Sequence, residues 1–270
     1  MVRRLSDLAL RMTIAAVAVA GLVILLAPVV IVLALSFTAA PTLKFPPPAW
    51  SLRWYEALLS PSLSGHIHAA ALNSVLVALA STGLGILVSL PAALGMRRMP
   101  VGRAKAWDLL FTSPLILPLL AYGLAALIFF SAAGLPPSLG LMILGHTVVT
   151  APLVLRTTYA SVLQLDPALA ESSEVLGASR LFTFRKVTLP LVAPGVAAGA
   201  FLAFVFSFDN VPVSLFLSTA TTDMLPIRLW GMMEVALDVR VAAVSGLLII
   251  ATLLLLLAAE RLFKFSRHVG

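Results

Sequence analysis

The chain has 270 residues, of which 61% are hydrophobic and 11% are charged, and its formal net charge is +7. Soluble chains are about half apolar and about a quarter charged, so this composition excludes a water-soluble globular domain and indicates an integral membrane protein. The absence of cysteine excludes disulfides and thiolate metal sites. The positive charge indicates basic loops that fix topology rather than a nucleic-acid partner.

Six apolar segments are long enough to cross roughly 30 Å of hydrocarbon at about 1.5 Å per residue. The predicted spans are Met12–Leu35, Ala69–Met96, Leu109–Ser131, Leu139–Leu163, Leu191–Leu217 and Val241–Ala259. No internal repeat or low-complexity linker interrupts the sequence, so we predict one all-α membrane domain over residues 1–270. Its core covers about 69–262, and the N-terminal span (12–35) and an outer loop (37–66) precede it.

The outer loop at 37–66 contains the stretch KFPPPAWSLRWYEALL. A run of prolines is extended and rigid. The segment SLRWYEALL predicts an amphipathic helix at the membrane interface, where Trp50, Trp54 and Tyr55 are well placed. This pattern is most typical of a membrane anchor.

Prolines inside the predicted spans indicate bends, because proline lacks the backbone N–H that a helix needs. They are Pro114 and Pro118 in span three, Pro152 in span four and Pro212 in span five. Such bends serve either gating or packing.

The distribution of basic residues predicts the topology. Fourteen of the 18 Lys and Arg residues lie on one side of the six spans, and cytoplasmic loops are the ones enriched in these residues. The fourteen are Arg3, Arg4, Arg11, Arg97, Arg98, Arg103, Lys105, Arg156, Arg180, Arg185, Lys186, Arg261, Lys264 and Arg267. The opposite side carries Lys44, Arg53, Arg228 and Arg240. Both termini and the loop after span four are therefore predicted to be cytoplasmic.

The loop after span four is polar, although both of its neighbours are apolar. Residues 168–191 read ALAESSEVLGASRLFTFRKVTLPL. Asp166 followed by proline predicts a capped helix start, and Gly177 predicts its end, because glycine readily adopts the left-handed conformation. Ser179 is placed to cap a second helix that runs to about Thr188, and Pro190 either ends that helix or starts span five. The loop is therefore predicted to be two short helices that meet at a glycine.

The side chains of this loop indicate a protein contact. Glu171 shares one side of the first helix with apolar residues, and further apolar residues of the second helix are candidates for burial. The apolar residues are Val175, Leu176, Leu181, Phe182 and Phe184. An apolar surface with an acidic residue suits docking into the groove of a partner protein. The alternative is a connector that lies on the lipid headgroups.

The segment ESSEVLGASRLFTFRKVTLP resembles the EAA loop of permease subunits in binding-protein-dependent ABC importers. That pattern has Glu-Ala-Ala, a short spacer, a glycine and, about a dozen residues later, a hydrophobic residue followed by proline. The matching positions here are Glu171, Ser172, Ser173, Gly177, Ala178, Leu189 and Pro190. Two serines replace the two alanines, and they are also small. The resemblance implies that this loop is a coupling helix, which docks in a cleft of a cytoplasmic ATPase subunit.

The resemblance extends over most of the chain. NSVLVALASTGLGILVSLPAALGM, which begins at Asn73, resembles the family's second span. SFDNVPVSLFLS and LPIRLWGMMEVALDVRVAAVSGLLI resemble the final third of spermidine/putrescine-type permeases. The family has an acid where Asn210 stands here, and the preceding Asp209 keeps one carboxylate. The implied fold is that of type I ABC importer permeases, with a coupling-helix loop between spans four and five.

Asp209 is also conspicuous on physical grounds. It lies about eighteen residues into the predicted span five, and a carboxylate at the centre of a membrane helix costs roughly 2.5–3.5 kcal/mol. Such groups usually face a cavity or a partner. Asp209, Asn210, Phe208 and Asn73 are therefore candidates for lining the translocation path. The alternative is a polar residue near the outer interface that is solvated by water.

No catalytic site is predicted. The sequence lacks a G-x-x-x-x-G-K-[ST] motif and a cluster of His, Asp and Glu, and the pair His66 and His68 lacks a third metal ligand. The chain is therefore predicted not to be an enzyme and to bind no metal or cofactor itself. The resemblance implies that ATP and Mg are bound by a dimer of partner ATPase subunits.

The resemblance also implies a second permease chain in a heterodimer and a periplasmic solute-binding protein, in a bacterial inner membrane. The predicted function is half of the pore for a small polar solute, foremost a polyamine such as putrescine or spermidine. Arg228 and Arg240 on the outer side leave open an anionic solute such as an opine or a phosphonate. A stand-alone secondary transporter is the alternative from another class, although such proteins tend to carry several charges in their spans.

Overall fold

Helices of membrane length make up most of the chain. The computed structural model describes residues 2–219 and 221–263, and helix is the main structure of both stretches. The only pairing of extended residues in them is an isolated bridge between Thr38 and Trp50. The predicted topology residues Lys264 and Arg267 lie outside the described residues.

Across the described stretches, twelve α-helices follow one another. In chain order they are α1 (Val2–Ser36), α2 (Arg53–Leu59), α3 (Pro61–Arg97), α4 (Val101–Thr112), α5 (Leu119–Ala132), α6 (Leu139–Leu163), α7 (Pro167–Val175), α8 (Arg180–Thr183), α9 (Leu189–Phe208), α10 (Val211–Leu217), α11 (Leu225–Ala236) and α12 (Arg240–Phe263). A 3₁₀ turn at Ser113–Leu115 follows α4, and a π-helical turn at Phe184–Thr188 joins α8 to α9.

Five stretches of the described chain are long and apolar enough to cross a membrane. They are Leu10–Ser36, Pro61–Arg97, Leu139–Leu163, Arg180–Phe208 and Arg240–Ala258. A sixth span results if α4 and α5 are counted together as one broken span. The prediction of an all-α membrane protein with about six spans is confirmed.

Span three is not the continuous helix predicted over Leu109–Ser131. It consists of two helices, and their axes meet at 92°. The bend falls between Ser113 and Pro118, where a 3₁₀ turn precedes an extended residue with φ −56° and ψ 124°. Pro114 and Pro118 both lack an N–H, so the backbone there cannot continue the α-helical hydrogen bonds. The prediction of a bend was correct, but the prediction of one helix was wrong.

Span five is also broken, so the predicted continuous helix through Leu217 is wrong. Helix α9 ends at Phe208, and α10 begins at Val211. The side chain of Asn210 caps α10, because its Oδ1 accepts a hydrogen bond of 3.1 Å from the N–H of Val213. Pro212 lies in the first turn of α10, where a helix does not need the missing N–H.

Residues up to Gly65, together with Gly231–Arg261, form one compact unit. Within it, the hydroxyl of Tyr55 donates a hydrogen bond of 2.8 Å to Oγ of the fully buried Ser36. Gly246 of α12 lies against this pair, because a Cβ there would stand 2.7 Å from the Tyr55 hydroxyl and 2.9 Å from Ser36. The absence of a side chain at Gly246 therefore allows this contact.

Residues His66–Trp230 belong to the second compact unit, in which α6 is the central helix. Helix α9 packs against α6 through Gly195 and Gly199, where an added Cβ would collide with Ser161 and Thr157. Small residues allow membrane helices to approach closely, and van der Waals contact then stabilises the pair. Helix α10 packs equally closely against α5, since a Cβ on Gly123 would lie 2.8 Å from the carbonyl oxygen of Pro212.

Candidate functional site

The polar loop after α6 has the local structure that its sequence predicts. The Asp166 carboxylate accepts a hydrogen bond of 2.9 Å from the N–H of Ala168 and so caps α7. Helix α7 ends at Val175, and Gly177 has a φ of +84°, the left-handed conformation that glycine adopts readily. Ser179 then caps α8 by accepting from the N–H of Phe182 at 3.3 Å. We call residues 166–188 the elbow.

The second helix of the elbow leads directly into span five: the π-helical turn ends at Thr188, and α9 begins at Leu189 with Pro190 in its first turn, which is the second of the two predicted alternatives. Arg180–Phe208 is one helical run, and Leu189 and Pro190 lie inside it. A proline within a helix leaves the carbonyl one turn earlier without its usual donor. The π-helical turn at Phe184–Thr188 occupies that turn and accommodates the altered hydrogen bonding.

The elbow presents apolar side chains to its surroundings. No residue of α7 is buried, and the side chains of Val175 and Leu176 are 86% and 87% exposed. Leu181 and Phe182, which were predicted as candidates for burial, are also exposed, and Phe184 is half-buried. Exposed apolar side chains on an ordered loop are typical of an interaction surface.

One hydrogen bond joins the two helices of the elbow, and a second joins the residue before the elbow to α3. The hydroxyls of Ser173 on α7 and Thr183 on α8 lie 3.0 Å apart and share a hydrogen bond. The guanidinium of Arg97, at the end of α3, donates to the carbonyl oxygen of Leu165, just before the elbow. The two short helices are therefore joined to each other, and the start of the elbow is joined to α3.

A cavity of about 430 Å³ lies between the end of α3 and the elbow. Its charged lining residues are Arg97, Arg98, Asp166, Glu171, Glu174 and Arg180. Basic and acidic groups occur in equal number, so the lining does not favour a ligand of either sign. Glu171 of the predicted coupling motif faces this cavity, whereas Val175 and Leu176 are exposed.

The candidate path residues Phe208, Asp209 and Asn210 follow one another at the end of α9. Asp209 is exposed at the end of α9 and is not enclosed within a continuous span, because the helix ends at Phe208. Asn210 is 4% exposed, and its Nδ2 has no hydrogen-bond partner among the described residues. Phe208 is half-buried. These three neighbours therefore form the break of span five.

Asn73 does not bond to this break. Its Nδ2 donates to the backbone carbonyl of Asp223 at 3.0 Å and reaches that of Thr221 at 3.5 Å. The next residue, Ser74, accepts from the N–H of Leu225 at 2.9 Å. Helix α3 thus holds the segment that leads into α11.

Sequence analysis missed a buried histidine in span four. His146 is fully buried, with Nδ1 2.8 Å from Oγ of Ser207 and Nε2 3.1 Å from Oγ of Ser214. Ser81 of α3 donates to Ser207 at 3.0 Å. The signal was present, since an ionisable residue in the middle of an apolar span is a reason to expect a function.

The described residues contain no group of three or more His, Cys, Asp and Glu side chains arranged to hold a metal ion. His66 and His68 both lie on α3, one turn after its start. Nothing in residues 2–219 and 221–263 adds the further ligands that a stable site would require.

Comparison with known proteins identifies relatives of this chain. It is 26% identical over 219 residues to the spermidine/putrescine transport system permease protein PotC of Haemophilus influenzae, which covers 81% of this chain and 84% of that protein. It is 27% identical over 210 residues to the putrescine transport system permease protein PotI of Escherichia coli, covering 74% and 73%. No family model matches the chain.

A solved structure has a similar fold. It is a bacterial alginate ABC transporter in complex with an alginate pentasaccharide-bound periplasmic protein. The TM-score is 0.65 at 17% identity, and the match covers 96% of each chain. The predicted resemblance is therefore confirmed: the relatives are spermidine/putrescine ABC permeases, and they are transport proteins rather than enzymes.

Proposed function

We propose that this chain, a homologue of spermidine/putrescine permeases, forms half of the pore of an ATP-driven importer. The elbow is the observation that carries the proposal. It is an ordered, capped pair of helices whose first helix has no buried residue and whose end exposes Val175 and Leu176. A partner ATPase would cover this surface and bind the ATP and Mg.

The charge of α7 favours a protein groove over lipid headgroups as the contact. The helix carries Glu171 and Glu174 and has no basic residue. Anionic headgroups repel such a helix and attract basic segments. An apolar helix end in a protein groove is a common mode of recognition, and it buries what the chain leaves exposed.

The continuous run Arg180–Phe208 supplies a mechanical connection. It has 29 residues, so it extends over about 43 Å at 1.5 Å per residue. One end belongs to the elbow, and the other end reaches the break at Asp209 and Asn210. A displacement of the elbow by an ATPase would therefore be carried along one helix to the break.

A polyamine is the proposed solute. PotC and PotI are named for putrescine or spermidine transport, and the exposed carboxylate of Asp209 lies beside Phe208. A carboxylate with an aromatic ring suits an organic ammonium group, through ion pairing and cation–π contact. A periplasmic binding protein would deliver the solute, as one accompanies the alginate transporter.

The two cations that suggested an anionic solute are already paired. Arg228 lies 2.6 Å from the Asp223 carboxylate, and Arg240 lies 2.6 Å from the Asp238 carboxylate. Pairing offsets part of their charge, which makes both guanidinium groups weaker sites for an opine or a phosphonate. The acids Asp223 and Asp238 are partners in these pairs, whereas Asp209 and Glu234 are exposed, and Asp209 is the one at the break of span five.

The remaining parts of the proposal follow the homology. The chain would pair with a second permease subunit in a bacterial inner membrane, with both termini in the cytoplasm. A secondary transporter works without an ATPase, so in such a protein no ATPase would cover the exposed elbow. The proposal therefore requires transport to depend on ATP.

Uptake into proteoliposomes tests the proposal. The full complex, with its ATPase, second permease and binding protein, is assayed with radiolabelled putrescine and spermidine, with and without ATP. We expect ATP-dependent uptake of at least one polyamine. Uptake without ATPase or ATP would support the secondary transporter, and ATP-dependent uptake of an opine or a phosphonate in place of polyamines would overturn the solute assignment.

A further inference from the structure

His146 connects the two helices on either side of the break in span five. Its Nδ1 contacts Ser207, the second-last residue of α9, at 2.8 Å. Its Nε2 contacts Ser214 of α10 at 3.1 Å. All three side chains are at most 2% exposed. One imidazole ring therefore reaches from one arm of the broken span to the other.

The hydrogen bonds of this group form a consistent chain of donors and acceptors. Ser81 Oγ lies 3.0 Å from Oγ of Ser207, and in the tautomer that leaves Nδ1 of His146 unprotonated the Ser207 hydroxyl donates to Nδ1. A neutral imidazole that accepts at Nδ1 carries its proton on Nε2 and can donate it to Ser214. A neutral ring thus satisfies both of its nitrogens without placing a charge inside the membrane.

Few other side-chain hydrogen bonds stabilise the break in span five. The backbone turns at Asp209 and Asn210, and the Asn210 side chain bonds only forward, to Val213 within α10. The Asp209 side chain forms no hydrogen bond or ion pair with the described residues and is exposed. Of the side-chain hydrogen bonds described, those of His146 are the ones that join α9 and α10 through a third helix.

We propose that His146 is a positioning residue. Its two hydrogen bonds to Ser207 and Ser214, together called the pin, hold α9 to α10. They fix the angle of the break and with it the direction of the Asp209 carboxylate. The pin itself depends only on the contacts above. Its importance for transport rests on the proposed function, because the carboxylate would face the solute only if the chain is the permease.

The pin can be tested by a distance measurement that requires no transport. The chain has no cysteine, so Leu202→Cys on α9 and Leu215→Cys on α10 provide two sites for spin labels without background. Both positions are exposed, at 48% and 52%. Electron–electron double resonance on the full chain in lipid nanodiscs then reports the distance distribution across the break.

The informative substitution is His146→Phe, which keeps a ring but removes both hydrogen bonds. We expect a broader and shifted distribution, because loss of buried hydrogen bonds raises the population of alternative angles by about tenfold. His146→Gln, which retains one acceptor and one donor, should restore most of the native distribution. Thr147→Val is the matched control, since the Thr147 hydroxyl bonds only the Ile143 carbonyl of its own helix.

The result that overturns the pin is a His146→Phe distribution identical to that of the parent chain, in protein with the same thermal midpoint. If His146→Phe fails to insert, Ser207→Ala and Ser214→Ala replace it. Each cuts one end of the pin, so we expect the double variant to broaden the distribution no more than either single variant. Additive broadening would mean two independent local contacts and would reject the pin.

Transport provides the second readout. In the complete complex, His146→Phe should lower the maximal polyamine uptake rate by about tenfold, and His146→Gln should recover it. A complex that transports no polyamine with the parent chain would reject the proposed function while leaving the distance result intact. A normal uptake rate for His146→Phe together with a changed distance would show that the break angle does not serve transport.

Discussion

The guanidinium of Arg228 on α11 lies 2.6 Å from the carboxylate of Asp223, five residues earlier. The backbone carbonyl of the same aspartate accepts from Asn73 at 3.0 Å, so Asp223 connects α11 to α3. The pair explains why two charges of opposite sign occur close together after span five. Both charged groups therefore have a structural role that does not depend on a solute.

Neutralising Arg228 separates that structural use from solute binding. Arg228→Gln should retain polyamine uptake within about twofold, because a partly exposed ion pair contributes only about 0.2–1 kcal/mol and Asn73 still holds the loop. Uptake in proteoliposomes measures this effect. Arg240→Gln provides the parallel case at the Asp238 pair. A loss of transport specific to Arg228→Gln, with the complex intact, would favour the anionic-solute alternative.

A charge at the exposed end of α7 should prevent association with the ATPase. Val175→Asp and Leu176→Asp place a carboxylate where an apolar contact is proposed, at a cost of about 1–3 kcal/mol or more in association. Co-purification with the ATPase measures the loss. Ala168→Asp, in the first turn of the same helix, introduces the same charge away from that end and should associate normally. Equal retention by all three variants would contradict docking at Val175 and Leu176.

Gly177 should be sensitive to conformation as well as to contact. A non-glycine residue at φ +84° costs of order 1 kcal/mol or more, and proline cannot adopt this φ. Gly177→Ala should weaken transport-stimulated ATP hydrolysis, and Gly177→Pro should abolish it. Membrane insertion should be unchanged, because Gly177 lies outside the spans. Full hydrolysis by Gly177→Pro would show that the turn is not needed.

The carboxylate of Asp209 should be required for a cationic solute. Asp209→Asn should lower polyamine uptake by about tenfold, through loss of an ion pair in the path. Asp209→Glu keeps the charge and is the control. Because Asp209 bonds no described side chain, the thermal midpoint should not change. Polyamine uptake that survives Asp209→Asn would retain the solute but remove Asp209 from the path.

Reporter tags should establish the membrane orientation. Tags at the N-terminus, near Arg103, near Ser179 and at the C-terminus should report cytoplasm, and tags near Ala49 and Thr221 should report periplasm. Protease protection in spheroplasts is an independent measurement. A periplasmic signal at Ser179 would rule out contact between the elbow and an ATPase.

The features that local rules govern could be predicted from the sequence. The caps at Asp166 and Ser179 and the turn at Gly177 depend on neighbouring residues, so short windows of sequence contain the necessary information. The length of each span follows from the thickness of the hydrocarbon core. The identity of the elbow as two helices is therefore visible before any tertiary contact is known.

The prolines of spans three and five predict bends at these places, but not that each span is divided into two separate helices. A hydropathy profile does not reveal the breaks at Pro118 and Asn210, because the residues on both sides of each break are apolar. The role of His146 was equally hidden, since its partners Ser207 and Ser214 are 61 and 68 residues away in the sequence. Only the packing of α6 against the two arms of span five brings them together.

The close contact between α6 and α9 limits how these two helices can move relative to each other. Gly195 and Gly199 leave no room for even a methyl group against Thr157 and Ser161. Sliding either helix by one residue would bring a larger side chain, such as that of Val196, into the same gap and raise a steric barrier. In the proposed permease, α6 and α9 would therefore move together as one rigid unit, and the solute path would not run between them.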